Sequence, residues 1–132
     1  MKAGFAASFV LAASPLLAQQ QDFSKVEVKG FIDTSSGGRV DGVIEAVDRV
    51  LAGIGDGTRI IPGHGPLARK ADLQAYRDVV KAARDRIAKL KAEGKSRDEV
   101  IATKPTADLD AKWGTGFMKG DSFVGLAYDS LK

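Results

Sequence analysis

The sequence predicts a helix-rich α/β fold that contains only a few short strands. Apolar residues recur at helical spacing in four separate segments, whereas β-branched runs are short and number two or three. At 132 residues, the chain is long enough for one small domain. Because two or three short strands cannot make a well-filled independent sheet, the helices must cover much of one another's apolar surface.

The first 18 residues have the pattern of a secretory signal peptide. Lys2 precedes the apolar run GFAASFVLAA at residues 4–13, and Ala18 precedes three glutamines. We therefore predict a signal peptide at residues 1–18 and a periplasmic or secreted protein. A buried N-terminal helix is the alternative interpretation. The run is shorter than the roughly 20 apolar residues of a spanning helix, so stable membrane insertion is not expected.

Residues 19–29 are the predicted start of the mature chain. Their segment FSKVEVK, at residues 23–29, alternates toward its end and predicts a short edge strand. A glycine- and serine-rich stretch then predicts a loop that ends at Gly38. Asp41 is the predicted N-cap of a helix that ends near Gly53, and the β-branched residues 58–61 predict a buried strand.

The C-terminal half carries the longest helical pattern. Apolar residues at helical spacing predict a helix over 70–93, with Gly94 as its natural C-cap. Ser96 and Glu99 form the pattern of a capping box at the start of a short helix, which ends before Pro105. Residues 108–120 are predicted as a loop, and Asp121 as the N-cap of a last amphipathic helix.

The polar composition restricts the possible functions. There is no cysteine, and His64 is the single histidine, so thiolate sites and sites with several imidazoles within one copy are excluded. The formal charge of +3 is too small to indicate a nucleic-acid partner by itself, no interleaved aromatic residues support one, and the predicted export argues against it. Residues 69–97 hold ten basic and four acidic side chains, which indicate either an anionic-surface footprint or, as we favour, a solvated helix face with intrahelical ion pairs.

One short motif contains a side chain that can bind a metal ion. His64 lies within the sequence PGHGP at residues 62–66, between a predicted strand and the long predicted helix. Glycines on both sides of the imidazole permit close backbone approach, and the outer prolines reduce loop freedom. Neutral imidazole is a common metal ligand, so His64 is a candidate metal ligand. A loop histidine without any ligand is the alternative interpretation.

Several segments together resemble metallo-β-lactamase-fold hydrolases. The segment IIPGHGP at residues 60–66 is similar to the late zinc-ligand motif of this family. FIDTSSGG at 31–38, DLQAYRD at 72–78 and the C-terminal segments GKS, KPT and KWG resemble the surrounding stretches of exported members. The similarity extends over residues 30–132. It implies half of an αββα sandwich, zinc as cofactor, and His64 as a metal residue in a loop framed by Pro62, Gly63, Gly65 and Pro66.

The chain also departs from this family. The early HxHxDH motif, a middle histidine and the motif that carries the bridging aspartate are missing, which implies an internal deletion near residues 29–30. Catalytic zinc needs about three protein ligands and a water, so we assign no catalytic residue and expect no hydrolysis by the chain alone. The alternative function is a non-catalytic interaction or scaffold domain that uses its amphipathic helices. Half a sandwich also predicts self-association through an exposed sheet face.

Trp113 and Phe117 are the aromatic residues of the predicted C-terminal loop. Glycines flank them, an arrangement that would suit a substrate platform. We instead predict that they are anchors that pack the loop on the core, because large aromatic side chains contribute most when they are buried.

Overall fold

A computed structural model describes residues 32–63, 66–114 and 118–132. The predicted signal peptide at residues 1–18 and the predicted strand at 19–29 lie outside these residues. The described elements are a 3₁₀ turn and five helices with a two-stranded sheet. In chain order they are Thr34–Ser36 (3₁₀), α1 Val40–Gly53, β1 Arg59–Ile60, β2 Ala68–Arg69, α2 Lys70–Ala92, α3 Arg97–Ala102, α4 Ala107–Trp113 and α5 Gly120–Ser130.

The long helix α2 is the centre of the fold. Helix α1, strand β2, helix α3 and helix α5 all contact it. The apolar face of α2 buries Val80, Ala83 and Ile87, and Ile87 is 0% exposed. These side chains recur at the helical spacing that the sequence predicts. Helix α2 is stable because neighbouring elements cover its apolar stripe from several sides. The other members of the core are Ile32, Val40, Ile44, Val100, Val124 and Ala127.

Two ion pairs fix the alignment of α1 against α2. Arg77 Nη1 lies 3.2 Å from Asp48 Oδ1, and Arg84 Nε lies 2.8 Å from Asp41 Oδ1. From Arg77 to Arg84 the chain advances seven residues along α2, whereas their partners, Asp48 and Asp41, lie seven residues apart in the reverse order along α1. The two helices therefore run antiparallel. The Arg84–Asp41 approach is an ion pair without aligned hydrogen-bond geometry.

Helix α5 is anchored to the C-terminal part of α2. Lys91 Nζ donates to the carbonyl oxygens of Tyr128 (2.9 Å) and Leu131 (2.6 Å), and it also lies over the Tyr128 ring. The Tyr128 hydroxyl donates to the carbonyl oxygen of Lys95 at 2.9 Å. The Arg97 guanidinium crosses α5 at Gly125, where a side chain would collide with it, and reaches Asp129. The two Lys91 hydrogen bonds satisfy carbonyl groups at the C-terminal end of α5, where few backbone donors are available.

The predicted starts and ends of helices are largely confirmed. Helix α2 ends at Ala92, and Gly94 follows with the positive φ of +84° that glycine tolerates best. The capping box before α3 is present, since Ser96 Oγ accepts from the Glu99 backbone N–H and the Glu99 carboxylate accepts from the Ser96 backbone N–H. The predicted caps Asp41 and Asp121 are wrong by a few residues.

Asp41 and Asp121 occupy first-turn positions instead. Helix α1 begins at Val40 after Arg39, and α5 begins at Gly120 after Lys119. Asp41 pairs with Arg84 on α2, and Asp121 pairs with Lys104. Each carboxylate therefore has a long-range cationic partner, while its place in the first turn still suits the positive end of the helix dipole.

The predicted loop at residues 108–120 is wrong in its first half. Residues 107–113 form helix α4, with acidic Asp108 and Asp110 in its first turn. The helix is too short for a reliable apolar period. It is held by contacts from outside, because Arg86 on α2 donates to both carboxylate oxygens of Asp108, at 2.6 and 3.0 Å.

Replacement of Ile87 by Ala should destabilise the fold by about 2–5 kcal/mol, because the side chain is fully buried and its loss leaves a cavity. Urea unfolding followed by circular dichroism measures the change. Lys89→Ala, two positions away and 80% exposed, is the matched control and should shift stability by less than about 0.5 kcal/mol. Equal effects of both substitutions would contradict the central role of the α2 apolar face.

Candidate functional site

The PGHGP loop connects the two strands of the sheet. Strands β1 and β2 pair antiparallel, with Arg59 opposite Arg69 and Ile60 opposite Ala68. The loop therefore closes a β-hairpin, whereas the sequence predicted that it joins a strand directly to the long helix. Strand β2, which the prediction missed, has two residues and runs straight into α2, so no period could reveal it.

The structure describes part of the predicted site loop. Pro62 and Pro66 are half-buried, and Gly63 is exposed. His64 and Gly65 lie outside the described residues, so the assignment of His64 as a metal ligand stays a prediction. The half-buried prolines agree with a loop whose two ends are held in place by the hairpin.

One face of the hairpin is open to solvent. Exposure alternates along the chain: Arg59 is exposed, Ile60 is half-buried and Ile61 is 85% exposed. Across the pair, Leu67 is 46% exposed, Ala68 is half-buried and Arg69 is exposed. Since side chains alternate between the two faces of a strand, the four exposed residues share one face. We call this surface the hairpin face, and its members are Arg59, Ile61, Leu67 and Arg69.

The burial predicted for the strand at residues 58–61 is therefore wrong. Ile61 has the side chain of a core residue, yet it is the most exposed large hydrophobic residue of the described chain. A two-stranded sheet has no further strands to cover its second face, and the helices cover only the face that carries Ile60 and Ala68.

Arginines on the hairpin face stand directly opposite each other. The guanidinium groups of Arg59 and Arg69 form no ion pair with other described residues, although the Arg69 backbone N–H donates to Asp72 Oδ2 at 2.8 Å. Like charges at directly opposed positions repel each other across an antiparallel pair. The hairpin face thus combines two cationic groups without acidic partners and two exposed aliphatic side chains.

Most other basic residues near α2 are engaged within the fold. Of the ten basic side chains between residues 69 and 97, eight form an ion pair or a hydrogen bond. They are Lys70, Arg77, Lys81, Arg84, Arg86, Lys89, Lys91 and Arg97. Two of these are intrahelical i,i+4 pairs of the kind that the sequence predicts: Lys81 with Asp85 at 2.8 Å and Lys89 with Glu93 at 4.0 Å. This arrangement favours the interpretation of a paired, solvated helix face.

Trp113 lies on α4 and contacts the ring of Tyr76 on α2. The ring centroids are 6.2 Å apart and the planes are tilted by 51°, a favourable aromatic geometry. Burial raises the pKa of the Tyr76 hydroxyl, which agrees with its position beneath α4. Trp113 thus acts as the predicted anchor, although on a helix rather than a loop. Phe117, the other predicted anchor, lies outside the described residues.

The residues present do not fit a catalytic zinc site. Within residues 32–63, 66–114 and 118–132, no three histidine, cysteine or carboxylate side chains come close enough together to hold a metal ion. The whole chain supplies one imidazole and no thiolate. A catalytic zinc centre needs about three protein ligands, so we derive no chemical step through a metal.

Hydrogen bonds lower the pKa of three solvent-exposed acidic side chains. Hydrogen bonds from Arg86 lower the pKa of Asp108, and those from Ser96 lower the pKa of Glu99. The hydrogen bond from Lys81 likewise lowers the pKa of Asp85. Because each folded-state pKa lies below the unfolded value, the native state holds protons less readily than the unfolded chain. The stabilisation is complete above the unfolded pKa and is lost as the pH falls through the lower folded value.

Comparison with known proteins identified no relative. No protein-family model matches the chain, and no curated protein or solved structure gives a significant match. Among the described residues, no helix has the length and apolarity required to cross a membrane.

We expect the free energy of unfolding to fall as the pH is lowered below about 4, where these carboxylates become protonated. Asp108→Asn and Glu99→Gln should each flatten this dependence, because the substituted residue no longer titrates. Denaturant unfolding between pH 3 and pH 6 measures the slope, with Glu45→Gln as the control because Glu45 is exposed and forms no ion pair with the other described residues. If the slope is unchanged in both variants, protonation of Asp108 and Glu99 is not the cause of the lower stability at acidic pH.

Proposed function

We propose that this chain is a non-hydrolytic relative of metallo-β-lactamase-fold hydrolases that serves as a protein-interaction module, and that the hairpin face is its docking surface. The observation that carries the proposal is the 85% exposure of Ile61 beside the PGHGP loop. Large aliphatic residues exposed in this way, next to a second one, favour an interface. On this proposal, the chain is part of an αββα sandwich whose other half would cover this face.

Two features support a binding role over hydrolysis. The chain carries one histidine and no cysteine, so it supplies too few soft ligands for catalytic zinc. Most of the other arginines in the described fold form ion pairs, and Tyr76 packs on Trp113, whereas the hairpin face combines two arginines without ion pairs and two exposed aliphatic side chains. We further propose that the protein acts in the periplasm or outside the cell, after removal of residues 1–18.

Hydrolysis by a site rebuilt between two copies is the competing function. The PGHGP motif favours it, because each copy would contribute one His64 imidazole. Two imidazoles with nearby carboxylates would provide the minimum number of ligands for zinc. Zinc affinity therefore separates the two functions.

Isothermal calorimetry of the metal-free chain with zinc should show only weak binding, and His64→Ala should leave it unchanged, because one imidazole does not build a site. Gln74→Ala, a substitution at an exposed position on α2, is the control for general effects of mutation. Tight, stoichiometric binding that is lost in His64→Ala would overturn the proposal and assign the chain to metal-dependent hydrolysis.

The sequence predicts that a second copy covers the exposed face, and the hairpin face supports that proposal. We expect concentration-dependent association that weakens when Ile61 and Leu67 are both replaced by Ser. The association should be stronger at about 0.5 M sodium chloride than at low salt, because screening reduces repulsion between the arginines of the two copies. Sedimentation equilibrium measures both effects.

The matched control for this experiment is Val50→Ser. Val50 is 47% exposed on α1, nearly the same as the 46% of Leu67 on the hairpin. If Val50→Ser weakens association as much as the hairpin substitutions, general surface hydrophobicity is the cause. A wild-type chain that remains monomeric at all concentrations would refute self-association.

A further inference from the structure

The charge of the hairpin face points to a more specific partner than a second copy. We propose that this face docks an extended segment of another protein in which acidic side chains alternate with apolar ones on one side. This inference rests on the proposed function, because it names the partner of the same surface. Its basis is the arrangement of Arg59, Ile61, Leu67 and Arg69 on one face of a two-stranded sheet.

The opposed arginines favour a negatively charged binding partner. Arg59 and Arg69 are a directly opposed pair, and neither guanidinium is neutralised within the described part of the chain. Their mutual repulsion weakens the hairpin, and a carboxylate placed between them removes it. The planar guanidinium group matches a carboxylate with two parallel hydrogen bonds, a geometry that a lysine ammonium cannot provide.

The spacing of the face fits an extended chain. On β1, Arg59 and Ile61 are two residues apart, and on β2, Leu67 and Arg69 are two residues apart. Residues i and i+2 on one side of a strand are separated by about 6.6 Å. An extended segment has the same repeat, so its acidic and apolar side chains can meet an arginine and an aliphatic residue in turn.

Other occupants fit this surface less well. An anionic membrane is usually recognised by clusters of about four to eight basic residues, whereas most basic side chains around α2 are held in ion pairs. A second copy brings the same arginines toward each other, so its association is opposed by repulsion at low salt. The acidic segment is the occupant that satisfies both the charge and the apolar part of the face.

The test uses the full-length chain and a fluorescein-labelled peptide with blocked ends, in which the unit glutamate-threonine-valine-threonine repeats. When extended, this peptide presents glutamate and valine alternately on one side. We expect saturable binding by fluorescence anisotropy that weakens as salt is raised. A peptide with lysine in place of glutamate, and one with serine in place of valine, should both bind at least about tenfold more weakly.

Protein variants locate the site. Arg59→Gln with Arg69→Gln should weaken peptide binding about tenfold, because both charge-assisted contacts are lost. Arg39→Gln with Arg49→Gln removes the same charge from exposed positions at the start and on the surface of α1, and should leave binding unchanged. Arg59→Lys with Arg69→Lys keeps the charge but loses the planar geometry, and should give an intermediate affinity. Circular dichroism checks that each variant is folded.

Several outcomes would overturn the inference. One is the absence of peptide binding, and another is an equal loss of peptide affinity in the hairpin and α1 double variants. The third is that phosphatidylserine vesicles bind more tightly than the peptide and depend in the same way on Arg59 and Arg69. The proposed function fails separately, because it depends on Ile61 and Leu67. If their replacement disrupts self-association while the acidic peptide does not bind, the docking surface stands and its partner is a second copy.

Discussion

The apolar face of α2 is the surface on which the rest of the structure depends. Ile87 is fully buried at its centre, and α1, β2, α3 and α5 all contact this helix. A helix of 23 residues gains most of its stability from such coverage rather than from intrinsic propensity. The two Arg–Asp pairs between α1 and α2 are consistent with the antiparallel alignment that the apolar packing produces.

The basic character of residues 69–97 is explained by the same packing. Their side chains reach α1, α4 and α5, where they pair with carboxylates or with carbonyl groups at helix ends. Surface ion pairs contribute little individually, so their main effect is to orient short elements such as α4. The arginines of the hairpin face lie outside this network, and for that reason this surface differs chemically from the paired face of α2.

The resemblance to metallo-β-lactamase-fold hydrolases is an interpretation that rests on sequence motifs. The described fold is helix-rich with a two-stranded antiparallel sheet, which agrees with a broad α/β class. In the resembled family, a complete sandwich covers the sheet and brings several metal ligands to its edge. This chain has one histidine, and the proposed relationship would explain the exposed apolar surface of its hairpin as the place where the other half of the sandwich packs.

Helices α1, α2, α3 and α5 could be predicted from the sequence alone, because the apolar period and the glycine and serine caps are local signals. It also restricted the metal chemistry through its single histidine. The tertiary structure decided what local signals cannot encode. Strand β2 pairs through two residues, α4 is held by Arg86, and Ile61 faces solvent because no layer covers that side of the hairpin. These features depend on contacts across the hairpin and between helices, where propensity is weak and packing prevails.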